Sequence, residues 1–452
     1  MKKQDILTVD IIENISPTKS LALHEDRRII INGGWAGQRA EVYINKVRSG
    51  RAEATIRRII EKVPYETEGI CKHFGRCGGC ATGGITYEKQ LELKENYVKG
   101  LFKKANLDMG EYEGIIPAPF IFNYRNKMEF SFGNERIGEP LCLGMHERGR
   151  HHNVISIDGC AISPGDFNII NAACEKYFKD ISESFYNKNT REGFLRHLVL
   201  RHSVRGKELL INLVTTSRGK LDGEAFVSLM LSLKLENSIS GILHTTTDSF
   251  ADAVKADKTE VLYGKDSITE TICGLSFEIT PFSFFQTNTL AAEGLYEKVR
   301  EYAGTTKDKT VFDLYCGTGT IAQIVSAGAK KVYGIELVGE AVEAATANAI
   351  KNGIDNCVFI AGDVMTEVDK LESADVIILD PPRAGIMPKA AQKIISFMPQ
   401  AFVYVSCKPS SLVADLPAFI EAGYGVERSC CVDMFANTEH VETCVLLSHK
   451  NS

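Results

Sequence analysis

The chain has 452 residues, 13 cysteines and a formal net charge of −6. This length is typical of roughly three domains, and the sequence has no apolar run near the ~20 residues that cross a membrane, so we expect a multidomain cytoplasmic protein without a membrane span. An odd number of cysteines, scattered without a secretion signal, disfavours a disulfide framework and favours thiols that bind metal or react.

Residues 1–62 are predicted to form a small antiparallel barrel. Apolar and polar residues alternate along short runs such as 40–44 and 52–56, and a turn falls at Ser49-Gly50. Residues 1–64 hold 12 Lys and Arg against 8 Asp and Glu, a local charge of +4 that leaves −10 for the rest. A basic module at one end of an acidic chain is suited to binding RNA, although a solvated surface explains the charge about as well.

Three cysteines lie close together at Cys71, Cys77 and Cys80, and Cys160 follows far downstream. Thiols this close, beside a pair of glycines that frees the backbone, are metal ligands more often than core residues. Zinc prefers paired short spacings, and only Cys77 with Cys80 supplies one. The spacing therefore leaves zinc and an iron–sulfur cluster both open.

The middle of the chain is predicted to be a mixed α+β domain over residues 63–275. It starts with an amphipathic helix over residues 85–107. Farther on, residues 123–130 and 193–201 place basic side chains on strand-like backbone, which suits contact with phosphate as well as plain surface exposure. We expect residues 85–114 to pack against the domain that follows.

From Thr310 onward the pattern is strand, glycine turn and helix, repeated. The first strand ends in Tyr315-Cys316-Gly317-Thr318-Gly319, and the second ends on Glu336. Glycines that open a helix let the backbone approach a ligand, and an acid at the end of the second strand accepts hydrogen bonds from ribose hydroxyls in Rossmann-like folds. The third glycine of the dinucleotide fingerprint is missing and Asp380-Pro381-Pro382 ends a fourth strand, so the set looks like an S-adenosylmethionine-dependent methyltransferase.

A later apolar run over residues 403–406 stops at Cys407-Lys408-Pro409. Ligand sites of parallel sheets lie outside the carboxyl ends of the strands, so this thiol lies where chemistry usually takes place. Taken alone, a free cysteine at such a position is more often a small buried apolar residue.

Five motifs in order resemble those of the bacterial RNA uracil-5-methyltransferase family, in particular its 23S rRNA branch, which carries a TRAM barrel (an OB-like RNA-binding module) and an iron–sulfur cluster. They lie at residues 284–288, 312–319, 380–385, 405–409 and 433–442. The resemblance implies that Cys407 adds to C6 of uracil, that C5 takes a methyl group from S-adenosylmethionine, and that Glu442 removes the C5 proton. The implied cofactor contacts are Gln286, Tyr315, Thr320, Glu336, Asp363 and Asp380. The implied ligands of a [4Fe-4S] cluster are Cys71, Cys77, Cys80 and Cys160.

The implied fold class is α/β, with a C-terminal Rossmann-like class I methyltransferase domain over residues 276–452 behind the barrel and the central α+β domain. The expected partner of this monomer is a single-stranded or loop region of 23S rRNA with its uridine flipped out. Two rival functions stay open. One is the same reaction on the T-loop uridine of tRNA, whose branch typically lacks the barrel and the cluster cysteines; the other is a non-catalytic, cluster-bearing RNA-binding assembly factor.

Overall fold

The computed structural model describes residues 1–48, 50–250 and 256–449; Ser49, predicted to lie in a turn, lies outside the described residues, as do 251–255 and 450–452. The chain begins with five strands: β1 (Ile6–Ser16), β2 (Lys19–His24), β3 (Arg27–Asn32), β4 (Arg39–Arg48) and β5 (Arg51–Glu61). They close a barrel in the order β1-β2-β3-β5-β4. Alternate side chains such as Ile29, Ile31 and Val42 fill its centre.

The predicted N-terminal barrel is confirmed, with one difference in strand direction. Because β4 pairs with β1 and closes the barrel, β5 lies beside β3 and runs parallel to it. The other pairs in the barrel are antiparallel, as the alternating pattern predicts.

Helix α1 (Tyr87–Ala105) and strand β6 (Glu111–Ile116) follow the cysteine-rich segment. On α1, Val98 and Phe102 are buried in an apolar cluster with side chains from the last third of the chain. Strand β6 forms one edge of the C-terminal sheet. Both elements therefore pack with the C-terminal domain rather than with the central one.

The central domain is built on a seven-stranded sheet. Its strands are β7 (Lys127–Gly133), β8 (Cys142–Glu147), β9 (Arg150–Ser156), β10 (Leu195–Ser203), β11 (Glu208–Thr215), β12 (Ser238–Thr246) and β13 (Lys258–Gly264). They lie in the order β13-β12-β11-β10-β7-β8-β9. Helices α2 (Gly165–Asp180) and α3 (Gly223–Ser232) cover one face, with Phe167, Phe178 and Phe226 buried against it.

A hairpin of β14 (Ile268–Ile272) and β15 (Leu275–Ile279) joins the central sheet to the C-terminal domain. Its apolar residues Ile268, Phe277 and Ile279 are buried in the C-terminal core. The predicted boundary between residues 275 and 276 falls inside this hairpin.

The C-terminal domain alternates strands with helices. The strands are β16 (Thr310–Leu314), β17 (Lys331–Glu336), β18 (Cys357–Ala361), β19 (Val376–Leu379), β20 (Ala401–Ser406), β21 (Tyr424–Val432) and β22 (Glu442–His449). The helices are α4 (Thr289–Ala303), α5 (Thr320–Val325), α6 (Gly339–Lys351), α7 (Val364–Glu367), α8 (Pro388–Ile395) and α9 (Pro409–Glu421).

These strands form one sheet with β6, in the order β18-β17-β16-β19-β20-β22-β21-β6. Strands β16 to β20 are parallel, and β22 runs antiparallel to both of its neighbours. The chain winds outward from β16 in both directions, so the crevice where such folds bind ligands lies at the carboxyl ends of β16 and β19. The predicted Rossmann-like domain is confirmed. In the described part of the chain, no helix is both long and apolar enough to cross a bilayer.

Candidate active site

Strands β20 and β22 bring Cys407 and Glu442 to the same end of the sheet. In this antiparallel pair, Ser406 lies opposite Thr443 and Val405 lies opposite Cys444. Continuing the register by one residue places Cys407 opposite Glu442. The predicted nucleophile and the predicted base are therefore neighbours across a strand pair, although they are distant in the sequence.

Glu442 has the properties of a proton acceptor. Only 4% of the residue is exposed. Burial raises the pKa of Glu442 to about 8, with a further rise from the charge of Asp380 and an opposing effect from Arg383. A carboxyl group whose pKa lies near the working pH both accepts and releases a proton readily.

Cys407 lies in the same electrostatic environment. Burial and the charges of Glu442 and Asp380 raise the pKa of Cys407 to about 11, and the positive charge of Arg383 opposes them. Arg383 thus favours the ionised form of both reactive groups. The sequence motifs gave this arginine no role, and the only signal for it is its place directly after Asp380-Pro381-Pro382.

Two more acids lie on or directly after the neighbouring strands β16 and β19. Asp380 directly follows β19, and burial raises its pKa to about 7. Asp313 on β16 has a pKa raised to about 8, first by burial and then by the charge of Asp380. Its carboxylate accepts a hydrogen bond from the Ala322 N–H, 2.8 Å away, which ties β16 to α5. Because neighbouring carboxylates resist joint ionisation, this acidic cluster holds protons near neutral pH.

The turn between β16 and α5 has the backbone that a ligand-binding loop needs. Tyr315, Gly317 and Gly319 have φ values of 67°, 53° and 71°. At Gly319 a Cβ atom would lie 2.4 Å from the Phe359 ring, so only glycine fits. Glu336, at the end of β17, accepts hydrogen bonds from the N–H groups of Gly317 and Val338, at 3.1 and 3.0 Å, and so fixes the turn.

The predicted cofactor residues line the carboxyl ends of successive strands. Glu336 ends β17, and the residue or two after β16, β18 and β19 supply Tyr315, Asp363 and Asp380. Thr320 opens α5. Asp363 is exposed and caps α7 by accepting a hydrogen bond from the Met365 N–H at 2.8 Å.

Gln286 reaches the site from a separate segment, the cofactor loop, which we define as residues 281–288. Its side chain lies close enough to the Tyr296 hydroxyl to oppose the rise that burial causes in the pKa of this tyrosine. Asn126 of the central domain holds the loop with two hydrogen bonds. Its side-chain N–H donates to the Gln286 carbonyl oxygen at 3.0 Å, and its backbone N–H donates to the Thr287 carbonyl oxygen at 2.9 Å. The Thr318 hydroxyl donates to the Phe284 carbonyl oxygen at 3.2 Å and so joins the loop to the glycine turn.

Two predicted basic residues act as braces inside the protein. Arg196 and Arg201 are 5% and 3% exposed, so they lie neither on the surface nor free for phosphate. Arg201 donates hydrogen bonds to the carbonyl oxygens of Pro281, at 3.1 Å, and Ser283, and anchors the start of the cofactor loop. Sequence periodicity gave no sign of this, because the burial depends on a loop from another domain.

Residues 433–440, here called the junction segment, lead from β21 to the base-bearing strand β22. Lys94 of α1 donates to the Asp433 carboxylate at 2.7 Å, and both side chains are fully buried. The Tyr87 hydroxyl donates to the other Asp433 oxygen at 2.9 Å. Gln90 accepts from the Asn437 N–H at 2.8 Å and donates to its side-chain oxygen at 3.1 Å. Helix α1 therefore holds the segment that positions Glu442.

Three other parts of the chain also contact the junction segment. The backbone N–H groups of Ala81 and Thr82, next to Cys80, donate to the Asn437 carbonyl oxygen at 2.9 and 3.0 Å. The cofactor loop contributes Asn288, which donates to the Met434 carbonyl oxygen at 2.9 Å. The barrel contributes the Thr18 hydroxyl, which donates to the Glu439 carboxylate.

The four predicted cluster cysteines carry free, partly buried thiols. Burial raises the pKa of Cys80 to about 12, with contributions from Cys160, Cys77 and Cys71, so the four thiols lie within electrostatic range of one another. The Gly79 N–H donates to the Cys77 sulfur at 3.3 Å, a contact that would also stabilise a thiolate. Among the described residues, no three or more His, Cys, Asp or Glu side chains are arranged as a metal-ion site. The donor chemistry fits a thiolate-bound group, but the structure does not show the predicted cluster.

The fold and the site define a methyltransferase that uses S-adenosylmethionine. The family model for tRNA (uracil-5-)-methyltransferases matches residues 86–450. The chain belongs to this family.

Relatives and a solved structure agree with this placement. The chain is 45% identical to an uncharacterised RNA methyltransferase of Clostridium tetani, with 100% of this chain and 99% of the relative covered. It is 44% identical to one of Caldanaerobacter subterraneus, with 99% of each covered. The crystal structure of the Pyrococcus abyssi tRNA (uracil-54, C5)-methyltransferase with S-adenosyl-L-homocysteine has a TM-score of 0.76 at 23% identity, and the match covers 97% of this chain and 100% of that one. The predictions of an RNA methyltransferase and of its methyl donor are confirmed.

Proposed function

We propose that this enzyme methylates C5 of a uridine in 23S rRNA by covalent catalysis from Cys407. The observation that carries the proposal is the position of Cys407 opposite Glu442, at the carboxyl ends of the strands that line the cofactor crevice. A thiol and a proton acceptor at one strand end supply the two protein groups that this reaction needs.

The reaction balances with these groups. The Cys407 thiolate adds to C6 of uracil, and the electron pair of the C5=C6 bond makes C5 nucleophilic. When bound, S-adenosylmethionine supplies the methyl group that C5 takes. Glu442 then removes the C5 proton, the bond between C6 and the Cys407 sulfur breaks, and the C5=C6 double bond forms again.

The surrounding residues tune and orient these groups. The Arg383 charge lowers the pKa of both Cys407 and Glu442 and so favours thiolate and carboxylate. Asp380 lies beside the base and the cofactor strands, where it can orient the edge of the uracil. Glu336 would bind the ribose of the cofactor, the glycine turn its methionine end, and Tyr315 would pack against it. Further cofactor contacts would come from Gln286, Thr320 and Asp363.

We propose further that Cys71, Cys77, Cys80 and Cys160 hold a [4Fe-4S] cluster. Four free thiols that influence one another's pKa support this, because iron–sulfur clusters are held by cysteine thiolates. Iron, zinc and sulfide analysis of protein purified without oxygen tests it. We expect equal amounts of iron and sulfide in the parent protein and a loss of both in Cys77→Ser. Stoichiometric zinc instead of iron would show that the four cysteines form a zinc site and not a cluster.

The T-loop uridine of tRNA is the second candidate substrate. The solved tRNA enzyme of Pyrococcus abyssi covers 97% of this chain, so the barrel and central domain do not by themselves separate rRNA from tRNA methylation. What favours rRNA is the resemblance of the motifs together with the four cysteines.

One experiment separates these functions. The protein is incubated with labelled S-adenosylmethionine and either unmodified 23S rRNA fragments or an unmodified tRNA transcript, and the products are mapped by mass spectrometry. We expect 5-methyluridine in one rRNA fragment; product in tRNA alone would transfer the proposal to the T-loop. A 5-fluorouridine version of the active RNA should form a covalent adduct with the parent protein and none with Cys407→Ala. An assembly factor without activity would methylate neither RNA.

A further inference from the structure

The connection between β6 and β7, residues 117–126, exposes two large aromatic side chains. Phe120 is 59% exposed and Phe122 is 44% exposed. Single exposed apolar residues are common on protein surfaces, but two aromatic rings separated by one residue make an apolar patch, and such patches mark binding surfaces.

The connection that carries these rings is held firmly, so their exposure does not come from a loose loop. Its hydrogen bonds are Ala118 N–H to the Tyr87 hydroxyl at 2.7 Å, the Asn437 side chain to Ile121 O at 2.8 Å, Asn123 N–H to Ala161 O at 3.0 Å and the Tyr124 hydroxyl to Ala436 O at 2.8 Å. Two of these bonds go to the junction segment. The backbone that carries the rings is therefore fixed relative to the segment that positions Glu442.

Two cationic residues follow the rings in the chain, Arg125 in the same connection and Lys127 in the next strand. Lys127, at the start of β7, is opposite Arg201 in the register with β10. Burial and the charges of Arg201 and Arg125 lower the pKa of Lys127, and Glu129 is the acid that opposes them. Like charges directly opposite each other across strands destabilise a sheet, and an anion bound at this point would relieve the repulsion.

Two observations link this connection to the active site. Asn126 lies between Arg125 and Lys127 in the sequence and holds the cofactor loop at Gln286. Burial lowers the pKa of His440, which lies two residues before Glu442, and the charges of Arg383, Lys94 and Arg125 lower it further, against the charge of Glu439. The connection that carries these cations and the aromatic pair is therefore joined to the cofactor loop and lies within electrostatic range of the segment before Glu442.

We propose that Phe120 and Phe122 stack on unpaired bases next to the target uridine, while Arg125 and Lys127 bind the adjoining phosphates. The inference rests on the proposed methylation of RNA and names the part of the surface that holds the flanking nucleotides. Aromatic side chains beside cations are the usual way to bind single-stranded nucleic acid without reading its sequence. Stacking here would also offset the unstacking that flipping a base requires.

The test compares apolar with aromatic replacements. Phe122→Leu and Phe120→Leu keep an apolar side chain but lose the π face, whereas Phe122→Trp keeps it. The probe is a single-stranded oligoribonucleotide with one uridine flanked by adenosines, one of them replaced by 2-aminopurine. We expect each Leu variant to raise the Kd about 5- to 150-fold and to lose the quenching of 2-aminopurine, and Phe122→Trp to behave like the parent.

Phe250 provides the matched control. It is 71% exposed, with the Arg191 guanidinium 4.5 Å from the centre of its ring. It lies near the other end of β10, since Arg196 donates to the carbonyl oxygens of Thr247 and Ser249. Phe250→Leu should leave RNA binding unchanged, and all variants should keep the thermal midpoint of the parent.

Two results would overturn the inference. Parental binding and quenching in both Leu variants would show that the rings do not contact RNA, and an equal loss in Phe122→Leu and Phe122→Trp would show that the ring packs rather than stacks. Binding is measured in the Cys407→Ala background, without methyl transfer. The two proposals can fail separately. If the parent enzyme methylates no RNA but RNA binding still depends on the two rings, the proposed function is contradicted and this inference stands.

Discussion

The buried ion pair between Lys94 and Asp433 is the strongest single link between α1 and the junction segment. The Lys94→Met substitution keeps the length of the side chain and removes its charge. Asp433 then keeps the Tyr87 hydroxyl as a donor but loses the cation 2.7 Å away, in a place that water does not reach. Removing one partner of a buried pair costs about 3–5 kcal/mol, because the remaining charge is uncompensated.

Trp35 is the only tryptophan of the chain and reports on this region. It is 9% exposed and packs with Val63, Ile85 and Leu93, the residue before Lys94. Its fluorescence in a urea titration should show that Lys94→Met lowers the free energy of unfolding by about 3–5 kcal/mol, from the midpoint and slope of the transition. Adding Asp433→Asn to the variant should recover part of the loss, since no buried charge then remains.

Lys99 gives a control on the same helix. It pairs with Glu95 at 2.8 Å, with 47% and 25% of the two side chains exposed. Lys99→Met should change the free energy of unfolding by under about 1 kcal/mol, because water screens exposed pairs. If Lys94→Met were no more costly than Lys99→Met, the reasoning that α1 is locked to the junction segment by a desolvated charge would be refuted.

The strand that ends at Cys407 is an example of what local sequence can predict. A strand buried on both faces of a parallel sheet is mostly apolar, so β19 and β20 are visible as apolar runs, whereas β16 carries Asp313 among its apolar residues. The glycine turn at Gly317 and Gly319 is visible for a similar reason, because it needs backbone conformations that other residues avoid.

The pairing of Cys407 with Glu442 could not come from such patterns. It depends on β22 inserting between β20 and β21, and strand order is decided by contacts between distant segments. Only the resemblance of the motifs to a family brought the two residues together in advance. Lys94 shows the same limit, since a lysine on an amphipathic helix reads as exposed, and its burial depends on a carboxylate 339 residues away.

Three further outcomes are expected from the site. If Glu442 is the base, as proposed, its pKa raised to about 8 by burial predicts that kcat rises with pH through that value and that Arg383→Gln moves the rise to higher pH. Glu442→Gln should accumulate a denaturant-resistant RNA adduct instead of product, and free product from this variant would assign the base elsewhere. Burial raises the folded-state pKa of Asp313 to about 8, so the contribution of this carboxyl group to stability is fully present below its unfolded pKa and is lost as the pH rises towards 8. In urea titrations over this pH range, Asp313→Asn should therefore lose less free energy of unfolding than the parent protein. The same pH dependence in variant and parent would contradict this reasoning. Gly317→Ala and Gly319→Ala both place a side chain at positive φ, at a cost of about 1–2 kcal/mol, but only at Gly319 would the new Cβ lie 2.4 Å from the Phe359 ring; at Gly317 it would lie 3.5 Å from Phe284, an ordinary contact. Calorimetric titration with S-adenosyl-L-homocysteine should therefore show a much weaker Kd for Gly319→Ala than for Gly317→Ala, and equal affinities would mean that the turn is not packed against β18 as the structure shows.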